Sequence, residues 1–219
     1  MKVFNSTPID LTLSLTHGQR GVAFETARTV EKDGWNARTL HLYSHCGTHM
    51  DSPLHFGVSE QTIDEFPLGD CMGKAWVVRI AGDCTRRLIT VSDLGTVAET
   101  LEKGDSLLLQ TGWSHFVNED KYRDALPRIS DELAKWCVTK GVKMLGVEPP
   151  SVADVHNLEE VTRIHRILLS GGVIIVEGLT HLELLKGPTV FFMALPLKVA
   201  DGDGAPVRAL AFEIDDESS

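Results

Sequence analysis

Long hydrophobic runs are missing from this chain of 219 residues. No apolar stretch approaches the roughly 20 residues that cross a bilayer, which excludes a helical membrane span. The opening Met1-Lys2-Val3-Phe4-Asn5-Ser6-Thr7-Pro8 also lacks the apolar segment of a secretory signal. Positive charge is scarce: 21 Lys and Arg stand against 31 Asp and Glu, a formal net charge of −10. That balance argues against a nucleic-acid partner, which needs a basic face for the phosphate backbone, and against docking on anionic lipid. Cysteine is sparse as well. Cys46, Cys71, Cys84 and Cys137 are scattered with no C-x-x-C pair, and are expected to be free thiols in a reducing cytoplasm. Repeats and low-complexity tracts are absent apart from a short acidic end, Asp215-Asp216-Glu217-Ser218-Ser219, expected to fray.

What remains is a globular composition, 42% apolar and 24% charged, in a length that predicts one domain over residues 1–219. A chain of this size buries about 70% of its unfolded surface and needs no disulfide staples. Polar and apolar residues alternate over Pro8 to Leu15 and over Arg38 to Ser44, the pattern of half-buried strands. Ala75 to Ala81 predicts a further strand, and Ser92 to Glu102 a short helix. From there strands and helices alternate. Strands are expected at Ser106–Gln110, Lys143–Val147, Val173–Val176, Thr189–Leu195 and Val207–Ile214. One helix runs from an N-cap at Ser130 to Gly141. Another opens at Asn157, where Glu160 three residues on resembles a capping box, and stops at Gly171-Gly172. Asp201-Gly202-Asp203-Gly204 lacks the distal Glu of a calcium loop and is expected to be a turn. The mixture predicts an α/β domain with a mixed β-sheet packed by helices.

Histidine is the residue out of proportion. Residues 41–55 read HLYSHCGTHMDSPLH and hold four of the nine histidines, where an even spread would place about 0.6. Neutral imidazole offers a lone pair at pH 7, and a divalent cation needs several such groups with at least one carboxylate. His45, His49, Asp51 and His55 supply three imidazoles and one carboxylate within eleven residues. Gly47, Thr48 and Pro53 are poor company for a helix, so a strand running into a bent loop is expected. There His49 and Asp51, two apart, share a side. The cluster alone is also compatible with a structural metal site. His165 lies on the apolar stripe Leu158, Val161, His165, Leu168 of the second helix and therefore points inward. Glu177 ends the apolar run 173–176 at the carboxyl end of a strand, where open α/β sheets place ligands.

His45-x-Gly47-Thr48-His49-x-Asp51-x-Pro53-x-His55-Phe56 resembles the signature of the metal-dependent cyclase-type hydrolases, which include bacterial kynurenine formamidases and isatin hydrolases. The resemblance continues in order along the chain. It takes in Asp10-Leu11-Thr12, Gln110-Thr111-Gly112-Trp113-Ser114 and Val142 to Val147, followed by Pro150-Ser151. His165-Arg166-Ile167-Leu168-Leu169, Val176-Glu177-Gly178-Leu179 and Gly204-Ala205-Pro206-Val207-Arg208-Ala209 complete it. It implies a swivelling β/β/α-like fold and two divalent metal ions, Zn2+ first and Mn2+ second. His45 and His49 would bind the first ion, Asp51 would bridge to the second, and His165 and Glu177 would complete the second site. His55 would be the catalytic acid/base. Metal-bound hydroxide would then cleave the C–N bond of a small-molecule amide, as in the conversion of N-formylkynurenine to kynurenine and formate. The family also suggests a homodimer or homotetramer.

One segment departs from the kynurenine formamidase pattern. The aromatic, proline-containing stretch expected after the opening Asp is replaced by Thr16-His17-Gly18-Gln19-Arg20-Gly21, with neither Trp nor Pro. Substrate contacts are therefore expected from His17, Phe24, Trp35, Ser52 and Phe56. The alternatives are a cyclic amide of the isatin type or a lactone as substrate, or, in another class, a non-catalytic metal-binding module.

Overall fold

The structure, a computed structural model, describes residues 7–214. The acidic end at 215–219, expected to fray, lies outside the described residues. The strands are β1 Ile9–Asp10, β2 Val22–Arg28, β3 Ala37–Leu42, β4 His49–Asp51, β5 Met72–Arg79, β6 Leu88–Ile89, β7 Ser106–Gln110, β8 Arg128–Ile129, β9 Met144–Val147, β10 Ile174–Glu177, β11 Thr189–Pro196 and β12 Gly204–Glu213. The helices are α1 Val30–Asp33, α2 Val97–Thr100, α3 Lys121–Asp124, α4 Asp131–Lys140 and α5 Leu158–Ser170.

The short apolar runs become neighbours. β5, β7, β9 and β10 lie side by side and parallel, each connection after β5 carrying helical turns across one face of the sheet. β4 then pairs antiparallel with β10, and β11 and β12 pair antiparallel beyond β5. β12 is long enough to serve two partners on one edge: residues 204–206 pair with β4, and 210–211 with β1. The pairing of β12 with β4 closes seven strands into a barrel, in the order β12-β11-β5-β7-β9-β10-β4. The mixed sheet packed by helices is thus present, in a single α/β domain. The sheet is closed rather than open, so Glu177 sits at the rim of a barrel.

Alternation along the strands divides the core. Leu108 of β7 points into the barrel with Met50, Met144, Val176 and Phe192, whereas Leu107 and Leu109 point out against α4 and α5. Helix caps formed where the sequence signals them. Ser130 accepts the Leu133 N–H at 3.1 Å, and Gly141 ends α4 in the left-handed conformation at φ 70°. At α5 only half of the capping box forms. Asn157 accepts the Glu160 N–H at 3.1 Å, but the Glu160 carboxylate takes the Asp154 N–H and the Arg128 guanidinium instead.

Three expected elements change shape. The strand over Pro8–Leu15 is reduced to β1 and one bridge from Thr12 to Leu179, because residues 13–20 peel away to line a cleft. The helix over Ser92–Glu102 is broken at Gly95 into a 3-10 turn, Val91–Leu94, and the single-turn α2. The strand over Arg38–Ser44 is β3, and its partner β2 had no strand expected for it.

Candidate active site

β4 positions the first residues of the candidate site. Its residues alternate, so Met50 enters the barrel core while His49 and Asp51 share the opposite side. Antiparallel pairing sets His49 directly across from Glu177 at the end of β10. The turn that precedes β4 holds His45 and is pinned twice: the Thr48 hydroxyl donates to the Gly178 carbonyl and accepts the Leu13 N–H at 2.8 Å. Gly178, at φ 69°, lets the chain pass so closely that a Cβ there would lie 2.4 Å from the Gly47 carbonyl oxygen. α5 brings His165 over the same spot. Sequence-distant residues therefore meet: His49, Asp51, His165 and Glu177 are buried in one cluster, and the half-buried His45 joins it through Asp51.

The carboxylate of Asp51 has two sides. Its Oδ1 lies 2.8 Å from His45 Nδ1 and 3.7 Å from His49 Nε2, and its Oδ2 lies 3.6 Å from His165 Nε2. Glu177 reaches His49 Nε2 at 3.2 Å through Oε2 and His165 Nε2 at 3.3 Å through Oε1, which also accepts the Val152 N–H. The outer nitrogens of two rings are committed: His165 Nδ1 donates to the Val161 carbonyl at 2.7 Å, and His49 Nδ1 to that of Gly47 at 3.1 Å. Each bond fixes a tautomer that turns Nε2 and its lone pair toward the carboxylates.

Electrostatics follow from this packing. Burial works against the charged form of His45, but the hydrogen bonds and charges of Asp51 and Asp203 outweigh it and carry its pKa up to about 9. Burial opposes His49 and His165 too, and Glu177 raises both. Burial would raise Glu177, yet His165 and His49 hold it far below the ordinary carboxylate range. His55 goes the other way: burial depresses it, the charges of His45 and His165 add to that, and Asp51 only partly offsets them.

This donor set fits a divalent cation. Imidazole nitrogens and carboxylate oxygens converge, with the coordinating atoms of His45, His49 and Asp51 within 4.8 Å of one another, and those of Asp51, His165 and Glu177 likewise. Asp51 Oδ2 is buried without a hydrogen-bond partner. A buried carboxylate oxygen with no hydrogen bond, among imidazoles, matches the chemistry of a cation site.

The cluster forms the floor of a cleft of about 870 Å³, and His55 and Phe56 stand on its wall. The His55 ring stacks on His45 at 3.7 Å between centroids, and Phe56 stacks on His165 at 4.4 Å. His17 lines the cleft and accepts the Phe24 N–H at 3.0 Å. Ser52 is buried below, donating to the Gly202 carbonyl at 3.2 Å. Phe24 and Trp35 belong to the arm formed by β2, α1 and β3, outside the residues that line the cleft. Cys46 also faces the cleft, but burial pushes its thiol up, away from nucleophile chemistry.

Two carboxylates enter that sequence reasoning missed. Asp203, expected to serve only a turn, hydrogen-bonds His45 Nε2 at 3.1 Å and lies 3.6 Å from His55 Nδ1. Gly204 pairs with Asp51 across β12 and β4, and that pairing delivers its neighbour to the cluster. Glu148 is fully buried and accepts from the Thr111 hydroxyl, the Trp113 N–H and the Ser114 hydroxyl, while its carbonyl accepts the Tyr122 hydroxyl at 2.8 Å. It staples the Thr111–Ser114 turn to the cleft wall at Tyr122.

Residues 9–154 match the Cyclase family model ("Putative cyclase"). The chain belongs to the cyclase family. Among its relatives, the kynurenine formamidase of Bacillus cytotoxicus is 29% identical over 206 residues, 94% of each chain. The solved structure of isatin hydrolase A from Labrenzia aggregata bound to benzyl benzoate superposes with a TM-score of 0.84 at 21% identity, over 95% of this chain and 94% of that one. A structure described as a potential metal-dependent hydrolase with cyclase activity superposes at 0.75 with 25% identity, over 95% and 98%. The cyclase fold and the buried cluster thus occur together in this family member.

Proposed function

We propose that the chain is a metal-dependent hydrolase that cleaves the C–N amide bond of a small molecule, with N-formylkynurenine-like aryl formamides as first choice. The observation that carries this reading is the division of Asp51, one oxygen toward His45 and His49 and the other toward His165, beside His55, which groups with His45 and Asp203 and not with Asp51. His45, His49 and Asp51 would hold one divalent ion, and Asp51, His165 and Glu177 a second, with zinc preferred and manganese the alternative. Such ions bring the pKa of water from 15.7 to about 7 and polarise a carbonyl oxygen.

The chain's own residues supply the rest. His55 faces the cleft, partly open to solvent, with burial holding it neutral at pH 7 and so ready to accept a proton. It takes a proton from the attacking water and returns it to the departing nitrogen, a poor leaving group until protonated. Asp203 sits beside its Nδ1 and orients the ring. Phe56, held against His165, gives an aryl group an apolar wall. His17 on the opposite loop is a further contact for substrate.

A second reading keeps the metals and changes the substrate to a cyclic amide or lactone, favoured by the likeness to the isatin hydrolase structure. Incubating metal-loaded protein with N-formylkynurenine, isatin and a lactone panel separates the two. Release of formate from the first compound is expected. Turnover of isatin alone would shift the assignment to the second reading, and no turnover with metal bound would leave a metal-binding module. The assembly is proposed as a homodimer or homotetramer in the cytoplasm, read out by light scattering.

A further inference from the structure

Three histidines face the carboxylates of the cluster, and each has its other ring nitrogen tied down. For His49 and His165 the tie runs from Nδ1 to a backbone carbonyl, of Gly47 and of Val161, so Nε2 turns inward. His45 is reversed. Its Nδ1 faces Asp51 Oδ1 at 2.8 Å, and its Nε2 meets a side chain, Asp203 Oδ2, at 3.1 Å. The turn that carries Asp203 is held without help from that carboxylate. The Ser52 N–H donates to the Asp203 carbonyl at 3.0 Å, while the Ser52 hydroxyl and the Ile63 N–H donate to the Gly202 carbonyl at 3.2 and 2.9 Å. Beside it, Gly204 lies so close to the His45 ring that a Cβ there would stand 2.6 Å from Cε1. The His55 ring stacks on the same imidazole at 3.7 Å. Packing thus fixes where the His45 ring sits, and what the Asp203 side chain adds is a choice between its two nitrogens.

A neutral imidazole carries one N–H, and the group that accepts it decides which nitrogen keeps a lone pair. Asp51 and Asp203 compete for that hydrogen on His45, one at each end of the ring. A cation held by Asp51 settles the contest, because it repels a hydrogen aimed at it and draws a lone pair. We infer that Asp203 is a positioning residue for His45: it holds the hydrogen on Nε2, so that His45 offers Nδ1 to the first ion, whereas His49 and His165 offer Nε2. The inference rests on the metal reading proposed above. His45, His55 and Asp203 also bring three possible donor atoms within 4.8 Å of one another, but the two rings are stacked, with 25° between their planes. Stacked rings set their nitrogens side by side, which suits two N–H groups facing one carboxylate better than two lone pairs aimed at one ion. His55 Nδ1 lies 3.6 Å from the same Asp203 oxygen, beyond hydrogen-bond distance, so His45 holds the stronger claim on it.

The test uses the full chain loaded with zinc ions, together with Asp203→Asn and Asp203→Ala. Nitrogen NMR of the imidazole rings in the zinc-loaded wild-type chain is expected to show His45 protonated at Nε2 and metal-bound at Nδ1, and the opposite pattern for His49 and His165. Asp203→Ala removes the acceptor and is expected to lose the His45 pattern and about 10- to 100-fold in zinc affinity, read by competition with a chelator. Asparagine keeps an acceptor oxygen, so Asp203→Asn is expected to retain the pattern and to lose less affinity than the alanine variant. The nitrogen pattern and this rescue are readouts that a merely structural role for Asp203 would not move. Zinc bound through Nε2 of His45 in the wild-type chain overturns the inference while the metal reading stands, and so does an Asp203→Ala chain with wild-type affinity and pattern. A wild-type chain that binds no zinc removes the metal reading and the inference with it. The expected pattern without formate release from N-formylkynurenine would uphold the role of Asp203 and remove the formamidase reading.

Discussion

At Asp51 the two carboxylate oxygens face different partners, one toward His45 and His49 and the other toward His165. Asp51→Asn keeps the shape but removes the negative charge and one of the two acceptor oxygens, so both ions should be lost together with activity. Elemental analysis alongside formate release checks this, and a metal-replete, active variant would contradict the bridging role. The same cluster predicts a pH effect. His45 rises from an ordinary 6.5 to about 9 in the folded chain, so it contributes stability that is fully present below about 6.5 and lost as pH rises through about 9. The chelated chain should therefore lose thermal stability between these values, and metal uptake at pH 7 should release protons, measured by calorimetry in buffers of different ionisation heat. A flat stability profile with no proton release would exclude a protonated His45. Sequence made the candidate ligands of residues 45–55 visible because their spacing is local. Asp203 was invisible as a site residue: no local pattern marks it, and only the pairing of β12 with β4 carries it to His45 and His55.

The elements that read most clearly from sequence are those with a polar end signal and an apolar stripe. α4 and α5 start at Ser130 and Asn157, as their caps require. The β2–β3 ribbon was half hidden because its residues are mostly exposed and its strands pair only with each other, so no buried face imposes alternation on β2. Gly95 divided the helix expected over Ser92–Glu102 by taking φ 56° and ψ −133°, a conformation that suits glycine. Gly178 matters more for the site. It follows Glu177 directly at φ 69°, and a Cβ would meet the Gly47 backbone at 2.4 Å, where neither segment can yield without moving a residue of the cluster. Gly178→Ala should cost about 2 kcal/mol or more in thermal unfolding and weaken metal binding with it. Gly34→Ala, with φ 82° but open space around it, should cost only about 1 kcal/mol. Equal losses at the two positions would show that close approach at Gly178 plays no part.

Closure of the barrel is the property of the whole molecule that no segment announces. The strands were largely legible one by one, but the pairing of Gly204–Pro206 with β4 is a long-range event, and it is this contact that turns a mixed sheet into a ring. Closure brings the rim of β4, the end of β10, the turn before β12 and helix α5 around one point, so histidines and carboxylates separated by over a hundred residues in sequence share a single cluster. The acidic net charge of −10 does not count against an anionic substrate, because divalent cations held by the cluster would make the floor of the cleft locally positive. The central claim is that this cluster holds two divalent ions and that His55 moves the proton without helping to hold them. Metal content and formate release measured together on the wild-type chain and on His55→Ala test it most directly. The account predicts two ions per chain in both proteins and a loss of at least about 100-fold in turnover for the variant. Full turnover in His55→Ala, or loss of its metal, would contradict it.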